Sequence, residues 1–440
     1  MNDMMHCDLA IIGTGIGGMA AAIFAANRGL SVVQAGSTGA VAYTSGVFDV
    51  LGALPSETAD GRPTVVRRPF AALNDLLRIE PDHPYAGLLP EEIRAAFAET
   101  LAFLADIGLP YQTGGEKNFS LPTPAGTIKH SWCVPETALA GCLALESKQP
   151  ALIVALHGLK GFSSRQIAAN LAEVWPGLQP VSVSMPGHTG GELYPEQAAR
   201  MLETASARKA LAEVVAPHVH GVEAVGFPAV LGMHRPGDVT RDLAERLAVP
   251  VFEIPTMPPG VPGIRLKEAL ESALPERGVA LFCQQKMSGI VPGPDDPFVL
   301  RITGQPVERQ VRAAKVLLCS GRFLGGGLAA RRDRGIVETV FDLAVRQPES
   351  RSGWHHPDYF DPRGHPVHRT GLVVDQLFRP LAENGRPVHP GLHAAGSILA
   401  NQDWIRMKCG AGVAIATAYK AVEALRQRRQ KNDDLGNFSG

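Results

Sequence analysis

The sequence predicts an α/β protein into which a second α/β domain is inserted. Short apolar runs typical of buried strands alternate with Ala-rich or amphipathic stretches typical of helices along most of the 440 residues. Three of the apolar runs end in Gly-rich turns, as strands do where they lead into a helix or a loop. A separate alternation of strands and helices starts at residue 150 and ends at a Pro-rich stretch, residues 255–263.

The first element is a strand, a tight turn and a helix near the N-terminus. An apolar run that ends at residue 12 leads into the string GTGIGG, and an Ala-rich stretch follows. Gly13 permits the turn, Gly15 lets the backbone approach a phosphate, and Gly18 lets the helix pack closely on the strand. The helix N-terminus then faces negative charge, so the spacing predicts a nucleotide-binding turn, with a second strand at residues 30–34. A plain connection between strand and helix is the alternative interpretation.

The end of the second predicted strand departs from the usual dinucleotide fold. An Asp or Glu usually stands there to hold the adenosine ribose, whereas this chain has Gln34, Ala35 and Gly36. Gln34 can still donate or accept a hydrogen bond, so FAD stays open. A cofactor that lacks the adenosine half, such as FMN, is also compatible with this strand end.

A loop of small residues follows the second strand and contains Thr44, Ser45 and Gly46. In flavoproteins with two dinucleotide folds, loops of this kind run beside the isoalloxazine, where small side chains let backbone donors reach the ring. These three residues are therefore candidate cofactor contacts. A surface turn is the alternative interpretation.

The inserted α/β domain is predicted at residues 150–265. Its strand-like runs are residues 151–155, 222–227 and 251–254, and its helical runs are residues 163–174 and 239–247. The insertion divides the cofactor-binding domain into a first part, residues 1–149, and a second part, residues 266–440.

The second part returns to the cofactor fold. A strand-like run at 279–284 and a hairpin-like pair at 298–303 and 311–319 are followed by two further Gly-rich turns and by the start of a long Ala-rich helix. The candidate cofactor contacts in these segments are Ser320, Gly321, Gly396, Ser397, Gly410 and Gly412. Three Gly turns and two helix starts that converge on one ligand predict a Rossmann-type flavoprotein of the class with two dinucleotide-binding domains.

Composition excludes several functional classes. Lys and Arg number 42 and Asp and Glu 43, and a net charge of −1 gives no general attraction for nucleic acid. No apolar run reaches the roughly 20 residues needed to span a bilayer. The six cysteines show no spacing typical of iron–sulfur or zinc ligands, so the chain is expected to carry no cluster of its own. Several of them lie inside apolar runs and the sequence shows no secretory signal, which predicts a reduced, cytoplasmic protein.

Several unusual strings match the pattern of one known family. They are the first Gly-rich turn, YTSG at 43–46, HPY at 83–85, PTMPP at 255–259, GIRL at 263–266, SGRFLGGGL at 320–328 and GAGV at 410–413. Together they resemble the B subunit of the anaerobic glycerol-3-phosphate dehydrogenase, over about residues 7 to 425.

The resemblance implies a role inside a complex. In that family, the B subunit forms a soluble pair with a catalytic, FAD-containing subunit, and the pair docks on a third, membrane-bound subunit that contains iron–sulfur centres. The complex oxidises sn-glycerol 3-phosphate to dihydroxyacetone phosphate and passes the electrons to quinone. The resemblance implies FMN as the cofactor of this chain, with FAD as the alternative, and a peripheral position at the inner face of the cell membrane through a partner subunit.

Oxidation of a secondary alcohol on a flavin needs a base and, for this substrate, cations for the phosphate. Arg265, Arg322 and Lys408 are the candidate cations, since each lies beside a Gly-rich or cofactor-facing segment. His130 is the candidate base. A solvated arginine and a locally hydrogen-bonded histidine are the alternative interpretations.

The sequence predicts no metal site. Histidines are frequent between residues 355 and 393, but this segment has no helical i, i+4 pair, no Cys partner and several prolines. Three functions stay open: a flavin-bearing subunit that relays electrons, a self-contained flavoenzyme similar to fumarate reductase, and a non-catalytic interaction subunit with an empty nucleotide fold. The intact glycines of the turns argue against the third.

Overall fold

The computed structural model describes residues 4–37, 39–56, 61–304 and 308–436. The strands, in chain order, are β1 (Met5–Ile12), β2 (Val32–Gly36), β3 (Ala53–Leu54), β4 (Thr64–Val65), β5 (Tyr111–Thr113), β6 (Phe119–Pro122), β7 (Ile128–Ser131), β8 (Cys133–Pro135), β9 (Ala151–Leu156), β10 (Leu178–Val183), β11 (Ala224–Pro228), β12 (Val251–Ile254), β13 (Val279–Cys283), β14 (Lys286–Gly289), β15 (Phe298–Thr303), β16 (Arg309–Leu318), β17 (Leu328–Arg331), β18 (Gly335–Glu338) and β19 (Leu392–Ala394).

The helices of the described residues, in chain order, are α1 (Ile16–Asn27), α2 (Leu73–Ile79), α3 (Pro90–Asp106), α4 (Glu136–Ser147), α5 (Ser164–Leu171), α6 (Pro195–Met201), α7 (Ala205–Val215), α8 (Pro236–Leu247), α9 (Val261–Glu276), α10 (Trp404–Met407) and α11 (Gly410–Gly436).

The chain forms two compact units. The first unit contains residues 1–40, 53–100 and 270–440, and the second contains residues 41–52 and 101–269. The second unit therefore includes the predicted insertion together with residues on its N-terminal side. The domain limits at 149/150 and 265/266 stay a prediction.

The first unit is built on a sheet with the strand order β13-β2-β1-β16-β15-β14, in which β19 also pairs with β16. Strands β13, β2, β1, β16 and β19 run parallel, and β15 and β14 turn back antiparallel. In the register of these pairs, Ile12 lies opposite both Ala35 and Leu318, and Leu318 lies opposite Ala394. The carboxyl ends of four parallel strands therefore lie at one level along one edge of the sheet.

Helix α1 is buried from Gly17 to Ala25, which explains why its sequence is Ala-rich and without charge. It packs against α11, where Phe24 meets Tyr419 edge to face at 5.2 Å between ring centroids. The predicted second strand at 30–34 is wrong by two residues, because the N–H of Leu30 still donates to the carbonyl of Ala25 at the end of α1. The strand begins only at Val32.

The second unit contains a four-stranded parallel sheet with the order β10-β9-β11-β12. All its β9, β11 and β12 residues are buried, as the continuous apolar runs in the sequence predict. Trp175 is fully buried in this core, and its indole N–H donates to the carbonyl of Gln149 at 2.7 Å. The alternation of strands and helices predicted for residues 150–265 is therefore present, and helices α5 and α8 lie close to the two predicted helical runs.

No helix among residues 4–37, 39–56, 61–304 and 308–436 combines the length and the apolar character that a membrane crossing requires.

A partly buried ion-pair network joins three segments of the first unit. The Arg28 guanidinium donates to Glu99 at 2.8 Å, to Glu423 and to the carbonyl of Phe24, and its side chain is 11% exposed. Burial alone would lower the pKa of Arg28, but the two carboxylates raise it above its ordinary value. Helices α1, α3 and α11 thus share one cation.

Replacing Arg28 by Met is expected to destabilise the protein, because Glu99 and Glu423 would then lie close together without their common partner. The expected loss is about 3 kcal/mol in the free energy of unfolding, measured by urea denaturation. Arg334→Met is the matched control, since Arg334 pairs with Asp342 at a side chain that is 57% exposed. Equal effects of the two substitutions would contradict this interpretation of the network.

Candidate functional site

Three turns meet at the carboxyl edge of the sheet in the first unit. The N–H of Gly13 donates to the carbonyl of Ala35 at 2.7 Å, and the N–H of Cys319 donates to that of Ile12 at 2.8 Å. The N–H of Ala395 donates to the carbonyl of Leu318 at 3.0 Å. The turns after β1, β16 and β19 therefore start from hydrogen bonds across the same strand ends, and they are called the cradle below.

Glycine is required at two positions of the first turn. Gly13 has φ +126°, and a Cβ there would lie 2.2 Å from the carbonyl oxygen of Cys319. A Cβ at Gly18 would lie 2.1 Å from the carbonyl oxygen of Gly13. The roles predicted for these two glycines, a tight turn and close packing of helix on strand, match this geometry.

Gly15 differs from these two glycines. It precedes the first turn of α1, which has no side-chain cap, and a Cβ at Gly15 would meet no protein atom within 4 Å. The first N–H groups of a helix have no partner inside the helix and attract anions. The N-terminus of α1 can therefore accept a phosphate.

The end of β2 carries no carboxylate. Gln34 is fully buried, and its amide nitrogen donates to the carbonyl of Gly13 at 2.8 Å, whereas its Oε1 has no protein partner. At Gly36, the last residue of the strand, a Cβ would lie 2.5 Å from both the backbone nitrogen and the hydroxyl of Thr14. Thr14 occupies the space that an acidic side chain at this strand end would need.

The second and third turns lie next to each other. Gly321 has φ +70°, and a Cβ there would lie 3.6 Å from the hydroxyl of Ser397. The hydroxyl of Ser320 has no protein partner. Gly396 has φ +81°, and its N–H donates to the hydroxyl of Thr417 at 2.9 Å, which fastens the third turn to α11. The structure thus brings together four of the predicted contacts.

Arg322 follows the second turn and is used by the protein itself. Its guanidinium donates to the carbonyls of His368, Leu399 (3.0 Å) and Gln402 (2.9 Å). Burial lowers the pKa of Arg322 to about 10, against the opposing effect of Asp403 and Cys409. In the described contacts, this predicted cation therefore holds two neighbouring loops against the second turn.

Two polar residues of the cradle were not predicted from the sequence. Gln402 is fully buried, and its amide nitrogen donates to the carbonyls of Gly396 at 3.1 Å and Leu399 at 3.2 Å, while its Oε1 has no protein partner. Asp403 lies 3.4 Å from Nδ1 of His368. Burial would raise the pKa of Asp403, but contacts with His368 and Arg406 hold it below its ordinary value. The sequence feature that could have indicated both residues is the polar run at 401–403, between the Gly396 turn and Gly410.

The remaining candidates of the first unit lie at the start of α11. Gly410 begins the helix, where a Cβ would lie 3.1 Å from the ring of Trp404, and Gly412 is buried in the first turn. Lys408 is exposed, adopts φ +51° and directly follows α10. These positions place one more helix start beside the third turn, because Thr417 of the same helix binds Gly396.

The loop with Thr44, Ser45 and Gly46 belongs to the second unit. Thr44 Oγ1 donates to the carbonyl of Val41 at 2.9 Å. The carbonyl of Gly46 accepts a hydrogen bond from the Tyr111 hydroxyl at 2.6 Å, and a Cβ at Gly46, which has φ +77°, would lie 2.4 Å from Cβ of Pro262. The loop is therefore fixed against α9, and its predicted contact with a cofactor stays a prediction.

Arg265 is buried in an ion pair inside the second unit. Its guanidinium donates to both oxygens of Glu253 at 2.7 and 2.8 Å and to the carbonyl of Gly232 at 2.8 Å. Thr137 also donates to Glu253, at 2.7 Å, and the two charged side chains are 4% and 3% exposed. In these contacts Arg265 joins α9 to β12, and its predicted role as a phosphate cation stays a prediction.

His130 lies on β7 of the second unit, in register with Ser120 of β6. Its Nδ1 is 3.1 Å from the Ser120 hydroxyl, and the neighbouring Lys129 pairs with Asp49 at 2.7 Å. The structure therefore gives His130 a local hydrogen-bond partner, and its role as a base stays a prediction.

The histidine-rich segment forms a packed group of rings in the first unit. His365 lies 5.2 Å from His355 and 5.4 Å from His368 between ring centroids. Its Nδ1 accepts the N–H of His356 and its Nε2 faces the carbonyl of Tyr359 at 3.0 Å. Within the described ranges, no three His, Cys, Asp or Glu side chains are grouped so as to hold a metal ion.

Comparison with known proteins defines the class first. Residues 8–413 match the family model described as "FAD binding domain". Together with the parallel sheet and the three turns at its carboxyl edge, this match makes the chain a flavin-dependent oxidoreductase of Rossmann-type fold, as predicted. It supports FAD, the alternative that the sequence leaves open, rather than FMN, which the resemblance implies.

The particular family follows from full-length relatives. The chain is 30% identical over 437 residues to the B subunit of the anaerobic glycerol-3-phosphate dehydrogenase of Pectobacterium atrosepticum, covering 96% of this chain and 99% of the relative. It is 31% identical to the probable B subunit of Halobacterium salinarum, over 96% and 98% of the two chains. The chain belongs to the family of anaerobic glycerol-3-phosphate dehydrogenase B subunits.

Among solved structures, 3-ketosteroid delta1-dehydrogenase from Sterolibacterium denitrificans aligns with 97% of this chain and 99% of its own length. The identity is 11% and the TM-score 0.42.

The cradle fits a flavin cofactor by its polar groups. The N-terminus of α1 can bind a phosphate, and the partnerless buried atoms of Gln34, Ser320 and Gln402 can pair with polar atoms of a ligand. A flavin supplies an acceptor for two electrons and a proton from an alcohol carbon.

Gly15→Val is expected to keep the fold and weaken flavin binding by at least tenfold, because a Cβ at this position meets no protein atom within 4 Å but enters the approach to the helix N-terminus. Thermal unfolding of the flavin-free protein and fluorescence titration with flavin measure the two effects. Gly18→Val is the comparison, since its side chain would collide with Gly13, and it should lower the Tm. Unchanged flavin affinity in Gly15→Val would contradict the placement.

Arg265→Met is expected to destabilise the protein by about 3–5 kcal/mol, because it leaves the Glu253 carboxylate buried without its cation. Denaturant unfolding measures the loss. Arg241→Met, which breaks a pair with Asp238 at side chains 68% and 61% exposed, is the matched control and should leave the unfolding midpoint unchanged. A stable Arg265→Met variant that fails only to bind anionic substrate would show that Arg265 is a substrate ligand.

Proposed function

We propose that the chain is the flavin-bearing B subunit of an anaerobic glycerol-3-phosphate dehydrogenase. The complex oxidises sn-glycerol 3-phosphate to dihydroxyacetone phosphate, and electrons leave through an iron–sulfur subunit to quinone. The observation that carries the proposal is the cradle, whose three turns on parallel strands combine a helix N-terminus with partnerless buried polar atoms. Full-length similarity to relatives named as this subunit supports the substrate and the assembly.

We propose FAD as the cofactor, because the matching family model describes an FAD-binding domain. Without a carboxylate at the end of β2, the hydroxyl of Thr14 and the carboxamide of Gln34 are the side chains at that strand end available to the cofactor. Ser320, Gly321, Gly396 and Ser397 would face the remainder of the flavin from the second and third turns.

The proposed roles of the charged candidates differ. Lys408 is exposed beside the start of α11 and is proposed to contribute the cation for the substrate phosphate to a substrate site that the catalytic subunit completes. Arg322 is proposed to position the second turn, because its guanidinium already binds three backbone carbonyls. His130 is kept as the proposed acceptor of the hydroxyl proton, with Ser120 fixing the orientation of its ring.

The proposed assembly contains two partners, which are an FAD-containing catalytic subunit, called the catalytic partner below, and a membrane-bound iron–sulfur subunit, called the iron–sulfur partner. The chain would then lie on the cytoplasmic side of the cell membrane and reach it through the iron–sulfur partner. The names of the relatives, which describe one subunit of a dehydrogenase, support the existence of partners.

The test begins with the isolated chain. It is purified, its visible spectrum is recorded, and the released cofactor is identified by mass; the proposal expects FAD, and FMN alone would contradict the cofactor assignment. Glycerol 3-phosphate is then added without oxygen, before and after addition of the catalytic partner. The proposal expects bleaching of the flavin that requires this partner.

Two other outcomes would overturn this assignment. Full bleaching of the isolated chain by glycerol 3-phosphate would make it a self-contained flavoenzyme. A colourless protein that cannot be reconstituted with either flavin would make it an interaction subunit with an empty nucleotide fold. Lys408→Met, expected to raise the substrate concentration needed for half-maximal bleaching at least tenfold, tests the phosphate cation in the same assay.

A further inference from the structure

A cluster of large apolar side chains is exposed on the first unit. They belong to three segments and are Phe323 (43% exposed), Leu324 (71%), Tyr359 (79%), Phe360 (81%), Trp404 (40%) and Ile405 (45%). These six residues are called the Tyr359 surface below. Single exposed apolar residues are ordinary, but a contiguous group of this size marks an interaction site.

Hydrogen bonds of one side chain show that the three segments are neighbours. Arg322, next to Phe323, donates to the carbonyl of Gln402 at 2.9 Å, two residues before Trp404. The same guanidinium donates to the carbonyl of His368, in the segment that follows Tyr359 and Phe360. Arg322 therefore brings all three parts of the chain to the same place.

A second hydrogen bond joins two of these segments directly. Arg406 in α10 donates to the carbonyl of Asp361 at 2.6 Å, which joins the helix of Trp404 and Ile405 to the residue after Phe360. The rings of Tyr359 and Phe360 meet at 5.0 Å in an edge-to-face arrangement. These contacts bring together the three segments that carry the six exposed side chains.

The area of the Tyr359 surface suits a protein interface. Large apolar side chains offer on the order of 150–250 Å² each, so the exposed fractions correspond to roughly 700 Å². That is more than the few hundred Å² a monomer usually leaves exposed, and it is close to the roughly 800 Å² that one partner buries in a standard interface. Aromatic residues, four of the six, are also the residues enriched at such interfaces.

The charges within the patch favour a protein over a lipid surface. Arg363 pairs with Asp361 at 2.6 Å, and Arg406 lies beside Asp403 and binds a backbone carbonyl. Binding to anionic lipid depends on basic side chains whose charge is uncompensated. The arginines of this patch are compensated within the chain, and the exposed Lys408 beside α10 does not by itself form the cluster of roughly 4–8 basic residues that binds anionic lipid. An apolar protein face is therefore the better match.

The position of the patch beside the cradle favours an electron-transfer partner. Phe323 and Leu324 directly follow the second turn of the cradle, which lies next to Ser397 of the third turn. We propose that the Tyr359 surface is the docking site for the iron–sulfur partner that takes electrons from the flavin; this inference rests on the function proposed above. Electron transfer needs close approach, and a protein seated here stands beside the cradle. The catalytic partner must also approach the flavin, so it is the alternative occupant that the binding test below separates. A second copy of this chain in the same place would block that approach.

The test compares two variants of the full-length, flavin-loaded chain. The triple variant Leu324→Ser/Tyr359→Ser/Phe360→Ser removes the three most exposed members of the surface and no residue of the cradle. The matched control is Ile290→Ser/Val299→Ser, which changes two exposed apolar residues elsewhere in the same unit, 79% and 47% exposed. Interferometry measures the affinity for the detergent-solubilised iron–sulfur partner and for the catalytic partner, and absorbance measures flavin content.

The triple variant should bind flavin normally and lose at least tenfold in affinity for the iron–sulfur partner, while the control binds as the wild type does. If the triple variant bound the iron–sulfur partner with wild-type affinity, the assignment of the Tyr359 surface would be wrong, while the proposed function would still stand. The surface assignment would also fail if the variant lost affinity for the catalytic partner instead, lost a self-dimer seen by light scattering, or lost binding to anionic lipid vesicles. If the wild-type chain binds neither partner, the proposed function fails as well.

Discussion

The close approach of backbone to backbone at the carboxyl edge of the sheet is the constraint on which the rest of the first unit depends. The backbone of Gly13 lies against Cys319, and the backbone of Gly18 lies against Gly13, at distances that admit no side chain. These contacts fix where β1 ends, where α1 begins and how near β16 can lie. Because β19 pairs with β16 in register, the second and third turns then lie at the same height along the strands as the first turn.

The buried polar side chains around the cradle mostly bind backbone carbonyls of its turns and of the neighbouring loops. Gln34 and Gln402 are buried and use their amide nitrogens on backbone carbonyls of the first and third turns. Arg322 does the same for the loops around the second turn. These side chains hold the turns in place, and the groups that remain for a ligand are hydroxyls, carboxamide oxygens and the N-terminus of α1. Such a site is suited to an anionic cofactor held by dipoles, with little need for bound cations.

The sequence could predict the parts of this arrangement that are local, namely the glycine spacing of a phosphate-binding turn and the apolar runs of a second buried sheet. It could not predict the start of β2, since a bond from Leu30 back to α1 delays the strand. Nor could it pair Arg265 with Glu253, because only the packing of a helix on a strand brings them together. The Tyr359 surface was hidden for the same reason. Its three segments have the sequence pattern of ordinary loops, and long-range hydrogen bonds from Arg322 and Arg406 unite them.

A structure of the chain loaded with flavin tests the central claim most directly. The account predicts density for the cofactor in the first unit, with a phosphate oxygen within hydrogen-bond distance of backbone N–H groups at the start of α1, next to Gly15. Density for the flavin at any other place in the chain would contradict the account, as would a cofactor phosphate bound away from the three turns.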